Sequence, residues 1–202
     1  MVQKKLNSMK KLIGTKKLKI SVFISGKGSN LENLIKFSKL KESKFKIDLI
    51  ISSNSTAGGL KIAKRYNIRS KIYNFKNKKN SENKVLLDLS KRKIKLICLA
   101  GFMKVLSKNF INKFSGKILN IHPSLLPKYK GLNTHERVIR NNEKYSGCTV
   151  HLVNSKLDSG KILSQKIIRV YKKDNAKSLQ KRILKEEHLL YRETLMKFFS
   201  KF

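Results

Sequence analysis

The stretch Leu18–Leu40, LKISVFISGKGSNLENLIKFSKL, predicts a strand, a tight turn and a helix in succession. It opens with LKISVFIS, a short apolar run that is typical of a buried strand. In its second half, Leu31, Leu34, Ile35 and Phe37 recur at helical spacing. Because a strand followed by a helix is the repeating unit of parallel sheets, this stretch favours an α/β fold.

The same alternation of apolar strands and amphipathic helices continues along the chain. Further strands are predicted at 45–52, 70–75, 94–102 and 116–122, and helices at 56–67, 81–91 and 107–114. After Gly147, two strands at 148–154 and 161–170 predict an antiparallel extension, and a last helix spans about Ala176–Phe202. The apolar positions of that helix are Leu179, Ile183, Leu189, Leu190 and Leu195. We therefore expect an α/β fold with an open, mostly parallel sheet, helices on both faces and an antiparallel C-terminal extension.

The chain is predicted to form one domain, residues 18–202, after a basic extension at residues 1–17. A length of 202 residues suits a single domain, and no repeat or linker divides the sequence. The extension contains lysines but no continuous apolar core, so we expect it to be partly disordered rather than a secretory signal. No apolar run approaches the roughly 20 residues that a membrane-spanning helix needs, so no membrane partner is expected.

The sequence contains two cysteines, Cys98 and Cys148, and each lies inside an apolar run. This placement predicts buried, reduced thiols rather than a disulfide framework. We therefore expect a cytoplasmic location.

The chain is strongly basic, with 48 Lys and Arg residues, 12 Asp and Glu residues and a formal net charge of +36. Two interpretations remain open: a global compositional bias towards lysine, or a surface that binds polyanions. Only 8 of the basic residues are arginine, which bidentate recognition of phosphates and bases favours. We therefore expect no specific nucleic-acid partner, while the positive field should attract small anionic substrates.

The turn after the first predicted strand, SGKGSN at Ser25–Asn30, is a candidate phosphate-binding loop. In open α/β sheets, ligands bind beyond the carboxyl ends of the strands, where this turn lies. Glycines allow a tight turn, and the free N–H groups at a helix start can hold a phosphate. The pattern is neither a Walker loop nor G-x-G-x-x-G, because Leu31 replaces the third glycine. An ordinary turn with Ser29 or Asn30 as the helix N-cap is the alternative.

Two polar side chains, Asn120 and His122, interrupt the apolar strand ILNIHP. Side chains alternate along a strand, so both point to one face while Leu119 and Ile121 fill the other. Pro123 ends the strand and leaves the polar pair at its tip. An amide can stabilise a developing oxyanion and an imidazole can move protons, which suits chemistry on a carbonyl. The alternative is a histidine that caps the following turn.

Such an imidazole needs a carboxylate that orients or charges it, and Asp158 in KLDSGKIL is the candidate. It lies between the two predicted antiparallel strands, just before Gly160. An ordinary turn aspartate that accepts backbone hydrogen bonds is the alternative. Sequence spacing alone does not show that Asp158 reaches His122.

Four segments in this order, ISGKGSNLENLI, AGFMKVLS, LNIHPSLLPKYKGLNTH and LDSGKILSQ, resemble the phosphoribosylglycinamide formyltransferase family. The similarity covers roughly residues 19–195. It implies a Rossmann-like fold that binds glycinamide ribonucleotide in its N-terminal half and 10-formyltetrahydrofolate, as co-substrate, in its C-terminal half. The implied activity is formyl transfer from that folate to the amine of the ribonucleotide in de novo purine (IMP) biosynthesis.

The resemblance also implies roles for individual residues. The implied catalytic set, which acts without a metal, is Asn120, His122 and Asp158. The implied nucleotide-binding residues are Gly26, Lys27, Gly28, Ser29, Asn30 and Glu187, and the implied folate-binding residues are Met103, Val105 and Leu106. Thr149 and His151 match the segment that supports the folate cleft, and His135 matches the end of a histidine-rich turn.

Three features depart from the family pattern. Asn133 stands where relatives often have histidine, and Glu82 stands where they often have an arginine near the folate tail, so the folate-tail contacts are left unassigned. The sequence ends at Phe202, before a terminal strand that many relatives carry. Two alternatives to formyl transfer stay open: a formyltetrahydrofolate hydrolase, which normally carries an added regulatory domain, and a basic nucleic-acid-binding protein. The oligomeric state is not predicted.

Overall fold

The structure is a computed structural model that describes residues 17–199, and this range contains seven strands and six helices. The strands are β1 (Leu18–Ile24), β2 (Phe45–Ser52), β3 (Ser70–Ile72), β4 (Leu96–Leu99), β5 (Lys117–His122), β6 (Tyr145–Leu152) and β7 (Ile162–Arg169). The helices are α1 (Ser29–Ser38), α2 (Gly58–Arg65), α3 (Lys78–Lys91), α4 (Lys108–Lys113), α5 (Thr134–Arg140) and α6 (Ala176–Phe199).

The seven strands join one sheet in the order β3-β2-β1-β4-β5-β6-β7. The first five strands pair in parallel, whereas β6 and β7 add antiparallel ladders. The predicted fold class, a mostly parallel sheet with an antiparallel extension, is therefore confirmed. From β3 the chain returns to the other side of β1, so the strand order reverses between β1 and β4. Open α/β sheets bind ligands at such a reversal.

Helices cover both faces of the sheet, and each face buries its own hydrophobic cluster. One face packs against α1, α2 and α6, and the fully buried Tyr191 belongs to its cluster. The other face packs against α3 and α4, and Val85 belongs to its cluster. The neighbours Val22 and Phe23 of β1 fall in different clusters because side chains alternate along a strand. Full burial of one such side chain contributes about 1.5–3 kcal/mol.

Most predicted elements have different ends in the structure: β3 is Ser70–Ile72 rather than 70–75, and β6 is Tyr145–Leu152 rather than 148–154. Helix α3 begins at Lys78, earlier than predicted, because the Asn77 side chain accepts a hydrogen bond from the Asn80 N–H (3.0 Å) and caps the helix. Strand β4 ends at Leu99, earlier than predicted, and Gly101 then turns the chain with a φ of +72°. The segment after β4 is therefore a loop at the ligand edge of the sheet.

The sequence analysis missed α5, a helix of 7 residues that follows Asn133. Such a short segment shows no clear helical period, so its pattern gave no signal. The prediction that Leu189 lies on the apolar face of α6 is wrong, because Leu189 is 43% exposed. The helix instead turns Leu190 and Tyr191 towards the core.

Cys98 and Cys148 are both buried and unpaired, so the prediction of buried free thiols is confirmed. Burial raises the pKa of each thiol to about 12. Neither thiol is therefore ionised near neutral pH.

Some predictions fall on residues that the structure does not describe. The basic extension at 1–17 lies outside the described residues except for Lys17, and so does the predicted end of the last helix at 200–202. Among the helices of residues 17–199, none is long and apolar enough to cross a membrane.

Candidate active site

The candidate phosphate loop lies at the strand-order reversal, between the carboxyl ends of β1 and β4. The Ser25 N–H donates to the Gly101 carbonyl (3.0 Å), which ties the loop after β1 to the loop after β4. Gly28 has a φ of +87°, and a Cβ atom there would lie 2.6 Å from the Gly59 Cα. Glycine is therefore needed at this position for the left-handed backbone and for the close approach of α2.

Helix α1 starts without a side-chain cap. Gly28 occupies the N-cap position, so the alternative in which Ser29 or Asn30 caps the helix is wrong. Asn30 instead donates through Nδ2 to Glu187 Oε2 on α6 (2.7 Å). The uncapped N–H groups and the helix dipole favour an anion at this end of α1.

Glu187 lies at the same end of α1, where burial raises the pKa of its carboxyl and the hydrogen bond from Asn30 opposes this. The Asn30 Oδ1 atom is buried and has no hydrogen-bond partner in the described part of the chain. Gly26 and Lys27 are exposed on the loop. The structure therefore gathers the six residues that the family resemblance assigns to the nucleotide.

Asn120 and His122 project from one face at the end of β5, while Leu119 joins the hydrophobic core on the other face. The predicted common face of the two polar side chains is therefore confirmed. In the antiparallel pairing of β5 with β6, Asn120 lies opposite His151 and His122 lies opposite Thr149.

Asp158 reaches both polar residues of β5. Its Oδ2 lies 3.4 Å from His122 Nδ1 and accepts the Gly131 N–H at 2.9 Å. Its Oδ1 lies 3.5 Å from Asn120 Nδ2 and 3.6 Å from His151 Nε2. Asp158 has a φ of +44°, a left-handed conformation that aspartate adopts more readily than most residues. The fold thus brings together the three residues of the implied catalytic set.

The protonation of His122 follows from its neighbours. Its Nε2–H donates to the Tyr129 carbonyl (2.9 Å), because a carbonyl can only accept, and Nδ1 therefore faces Asp158. Burial lowers the pKa of His122, while the Tyr129 carbonyl and the Asp158 carboxylate act to raise it. Burial opposes ionisation of Asp158, but the His151 and His122 imidazoles, when protonated, and the Gly131 N–H outweigh it and lower its pKa.

The segment between β5 and α5 holds the site through backbone groups that the sequence analysis missed. Tyr129 contributes its carbonyl to His122, and Gly131 contributes its N–H to Asp158. Thr149 anchors the start of the same segment, since its Oγ1 donates to the Ser124 carbonyl (2.7 Å). Backbone groups leave no residue-type signal in a sequence, so only the fold reveals them.

A cleft opens beside Asp158. Its apolar lining is Leu99, Phe102, Val105, Leu106, Val153 and Leu157, and its polar lining includes Asn120, His151 and Asp158. Val105 and Leu106, two of the three residues that the resemblance assigns to the folate, thus line this cleft. Met103 lies outside this lining: its side chain is 63% exposed, and its N–H donates to Ser25 Oγ (2.8 Å). His122 likewise does not line the cleft.

The two residues that depart from the family pattern have local structural roles. Glu82 is 2% exposed and accepts hydrogen bonds from the Ser107 N–H (2.8 Å) and the Ser107 hydroxyl. Its carboxylate therefore holds the loop before α4. Asn133 precedes α5 with a φ of +55°, a conformation that asparagine adopts more readily than most residues. His135, in the first turn of α5, is buried, and burial lowers its pKa.

Similarity to known proteins gives the family of this chain. The sequence profile of the formyl transferase family matches residues 18–195. The chain belongs to the formyl transferase family. The match covers most of the described residues, from β1 into α6.

Relatives within the formyl transferase family are similar over most of this chain. The Haemophilus influenzae phosphoribosylglycinamide formyltransferase is 39% identical over 176 residues, which cover 86% of this chain and 83% of that protein. The human trifunctional purine biosynthetic protein adenosine-3 is 39% identical over 179 residues, which cover 87% of this chain but 18% of that protein. This chain therefore spans less than a fifth of the trifunctional relatives.

Solved structures give the same result. The crystal structure of phosphoribosylglycinamide formyltransferase from Brucella melitensis is 42% identical to this formyl transferase family member and matches it with a TM-score of 0.85. The match covers 91% of this chain and 96% of the Brucella chain. The predicted resemblance to phosphoribosylglycinamide formyltransferases is confirmed.

Proposed function

We propose that this chain transfers the formyl group of 10-formyltetrahydrofolate to the amine of glycinamide ribonucleotide, a step of purine biosynthesis. The convergence of Asn120, His122 and Asp158 beside an open cleft carries the proposal. The names of the relatives support formyl transfer over the hydrolase alternative.

The glycine loop and the start of α1 form the proposed ribose-phosphate site. The uncapped N–H groups of α1 suit a phosphate, and the exposed Lys27 adds positive charge beside them. Asn30 and Glu187 lie at the same end of the helix, where their polar atoms suit the ribonucleotide. The net charge of +36 favours the approach of an anionic substrate.

The cleft beside Asp158 forms the proposed folate site. The formyl folate supplies the formyl group as co-substrate. An apolar lining with polar groups at one end suits a flat ring that carries a reactive group, and Val105 and Leu106 belong to that lining. Met103 lies on the same loop, exposed outside the cleft.

Each residue of the proposed catalytic set, Asn120, His122 and Asp158, has its own role in the reaction. As the amine attacks the formyl carbon, negative charge develops on the formyl oxygen, and the Asn120 NH₂ group donates a hydrogen bond to it. The proton that the amine loses is held between Asp158 Oδ2 and His122 Nδ1 and then passes to the departing folate nitrogen. One carbon–nitrogen bond forms and one breaks, so the exchange balances without an oxidant or reductant.

A formyl-transfer assay with glycinamide ribonucleotide and 10-formyltetrahydrofolate tests this proposal. Formylated ribonucleotide and tetrahydrofolate should appear in equal amounts. Asn120→Ala, prepared in parallel, should lower turnover by about 100-fold or more, as expected when an oxyanion donor is lost. Release of formate without formylated ribonucleotide would instead favour the hydrolase.

A further inference from the structure

We propose that His151 is a positioning residue that fixes the orientation of the Asn120 amide, so that its NH₂ group faces the reacting carbonyl. The inference rests on the proposed formyl transfer and assigns a role to a residue that does not itself react. The hydrogen bonds of both His151 ring nitrogens carry it.

His151 lies directly opposite Asn120 in the antiparallel ladder of β5 and β6. Directly opposite residues project from the same face, and their Cβ atoms lie about 4.5–5.5 Å apart. His151 is 2% exposed, so bulk water does not replace a hydrogen bond that its ring fails to make. The two side chains therefore interact at the wall of the cleft, where the His151 ring is buried and Asn120 is partly buried.

The tautomer of His151 follows from the carbonyl of Leu152. His151 Nδ1 lies 2.9 Å from that oxygen, and a carbonyl oxygen can only accept, so Nδ1 carries the hydrogen. In the neutral ring Nε2 then has no hydrogen, so of its two neighbours, Asn120 Nδ2 at 3.2 Å and Asp158 Oδ1 at 3.6 Å, only the amide can donate to it. The Asn120 amide nitrogen therefore donates one hydrogen to His151.

A reversed Asn120 amide would meet two acceptors. Its oxygen would face the lone pair of His151 Nε2 and the Oδ1 atom of Asp158, and neither could donate to it. In the observed orientation, one NH₂ hydrogen is bound by His151. The second points towards Asp158 Oδ1 at 3.5 Å, longer than a good N–H···O bond of about 2.7–3.2 Å, so it can turn to the substrate oxygen.

Substitution of His151 by phenylalanine tests the role, because a planar ring is kept while its hydrogen-bond acceptor and donor are both lost. His151→Phe should lower kcat by about 10- to 100-fold, less than removal of an oxyanion donor itself, with both KM values within about twofold. His151→Gln can accept from Asn120 through its oxygen and donate to the Leu152 carbonyl. It should restore kcat to within about fivefold of the unmodified protein.

Testing His151→Phe in the Asn120→Ala variant shows whether His151 acts on kcat by positioning the Asn120 amide or by packing. No amide is left to orient there, so adding His151→Phe should cause no further loss of kcat, since residues that act as a unit are non-additive. An additive loss would overturn the proposal. His188→Phe is the matched control: His188 Nε2 is buried without a hydrogen-bond partner among residues 17–199, and kcat should not change.

Nitrogen NMR of the unmodified protein tests the inference without an activity measurement. The ring nitrogens of His151 should report a neutral imidazole with its hydrogen on Nδ1. A hydrogen on Nε2 would overturn the positioning role even if formyl transfer is observed. Absence of formyl transfer by the unmodified protein would overturn the proposed function, whereas the NMR result would still decide the tautomer.

Discussion

Asp158 Oδ2 lies 3.4 Å from His122 Nδ1, and both side chains are less than a tenth exposed. The same carboxylate oxygen accepts the Gly131 N–H, so the backbone fixes the carboxylate independently of the imidazole. When His122 Nδ1 is protonated, its proton lies between the His122 imidazole and the Asp158 carboxylate, and these two buried groups titrate as a pair. This relationship makes the carboxylate the natural first target for substitution.

Asp158→Asn should lower kcat by two or more orders of magnitude, which corresponds to about 3 kcal/mol of lost transition-state stabilisation. Nucleotide binding should stay nearly intact, because the phosphate loop lies on other elements. The pKa of His122 should fall further, since the substitution removes a charge that raises it. Steady-state kinetics and an NMR titration of His122 measure both effects.

Asparagine also tolerates the left-handed backbone of position 158, where φ is +44°, so the Asp158→Asn fold should be retained. His122→Ala and the double variant should be impaired to a similar degree, because residues that act as a unit are non-additive. A near-normal kcat in Asp158→Asn, or fully additive losses of kcat in the double variant, would show that Asp158 is an ordinary turn residue.

Gly28→Val should raise the KM for the ribonucleotide far more than the KM for the folate. The new Cβ would lie 2.6 Å from the Gly59 Cα, so the backbone of α2 or of the phosphate loop must move. The left-handed φ of +87° adds strain of about 1–3 kcal/mol for a β-branched residue. Equal increases in both KM values would count against a phosphate site here.

Gly26→Ala is the stability control for this substitution. A Cβ at Gly26 would meet nothing within 4 Å. Thermal unfolding of Gly26→Ala should therefore match the unmodified protein to within about 0.5 kcal/mol, as is usual for a change that creates no clash. Gly28→Val should unfold at a clearly lower temperature.

Residue patterns in the sequence predict part of the site and not the rest, for physical reasons. Period-two alternation and Pro123 are local features, so the shared face of Asn120 and His122 follows from the sequence. The approach of Asp158 depends on the turn between β6 and β7 and on a left-handed residue, which spacing does not reveal. The Tyr129 carbonyl and the Gly131 N–H are backbone groups and carry no residue-type signal.

The fold shows the same division between local and long-range information. Continuous apolar runs predict the parallel strands, because such strands are buried on both faces. The pairing of β4 with β1 depends on contacts between distant parts of the chain, so no apolar run in the sequence predicts it. Glu82 is a further example: the family pattern often has an arginine at this position and assigns Glu82 no role, whereas the hydrogen bonds to Ser107 show a structural role.

Glu82→Ala should destabilise the fold by about 1–3 kcal/mol, because the Ser107 N–H and hydroxyl would lose a buried acceptor. The folate KM should change little, since the carboxylate is buried and does not line the cleft. Chemical denaturation gives the free energy of unfolding, and initial rates give the KM. A large rise in the folate KM with unchanged stability would show that Glu82 acts on the ligand instead.

Stability should fall as the pH is lowered through the range in which histidines titrate. Burial lowers the pKa of His122, His135 and His188 below the ordinary value of 6.5. The unfolded chain therefore binds these protons more readily than the folded chain, so the stabilisation is full above pH 6.5 and declines below it. Thermal unfolding should show a lower midpoint at about pH 5.5 than at about pH 7.5.

Two variants test the origin of this pH dependence. His188→Phe removes one of the three groups and should make the decline shallower. Glu187 acts in the opposite sense, because burial raises its pKa and its carboxyl is protonated more readily in the folded chain. Glu187→Gln removes that opposing effect, so the loss of stability on acidification should become steeper. If the midpoint rises on acidification, or if His188→Phe leaves the slope unchanged, the buried histidines are not the groups that couple stability to pH.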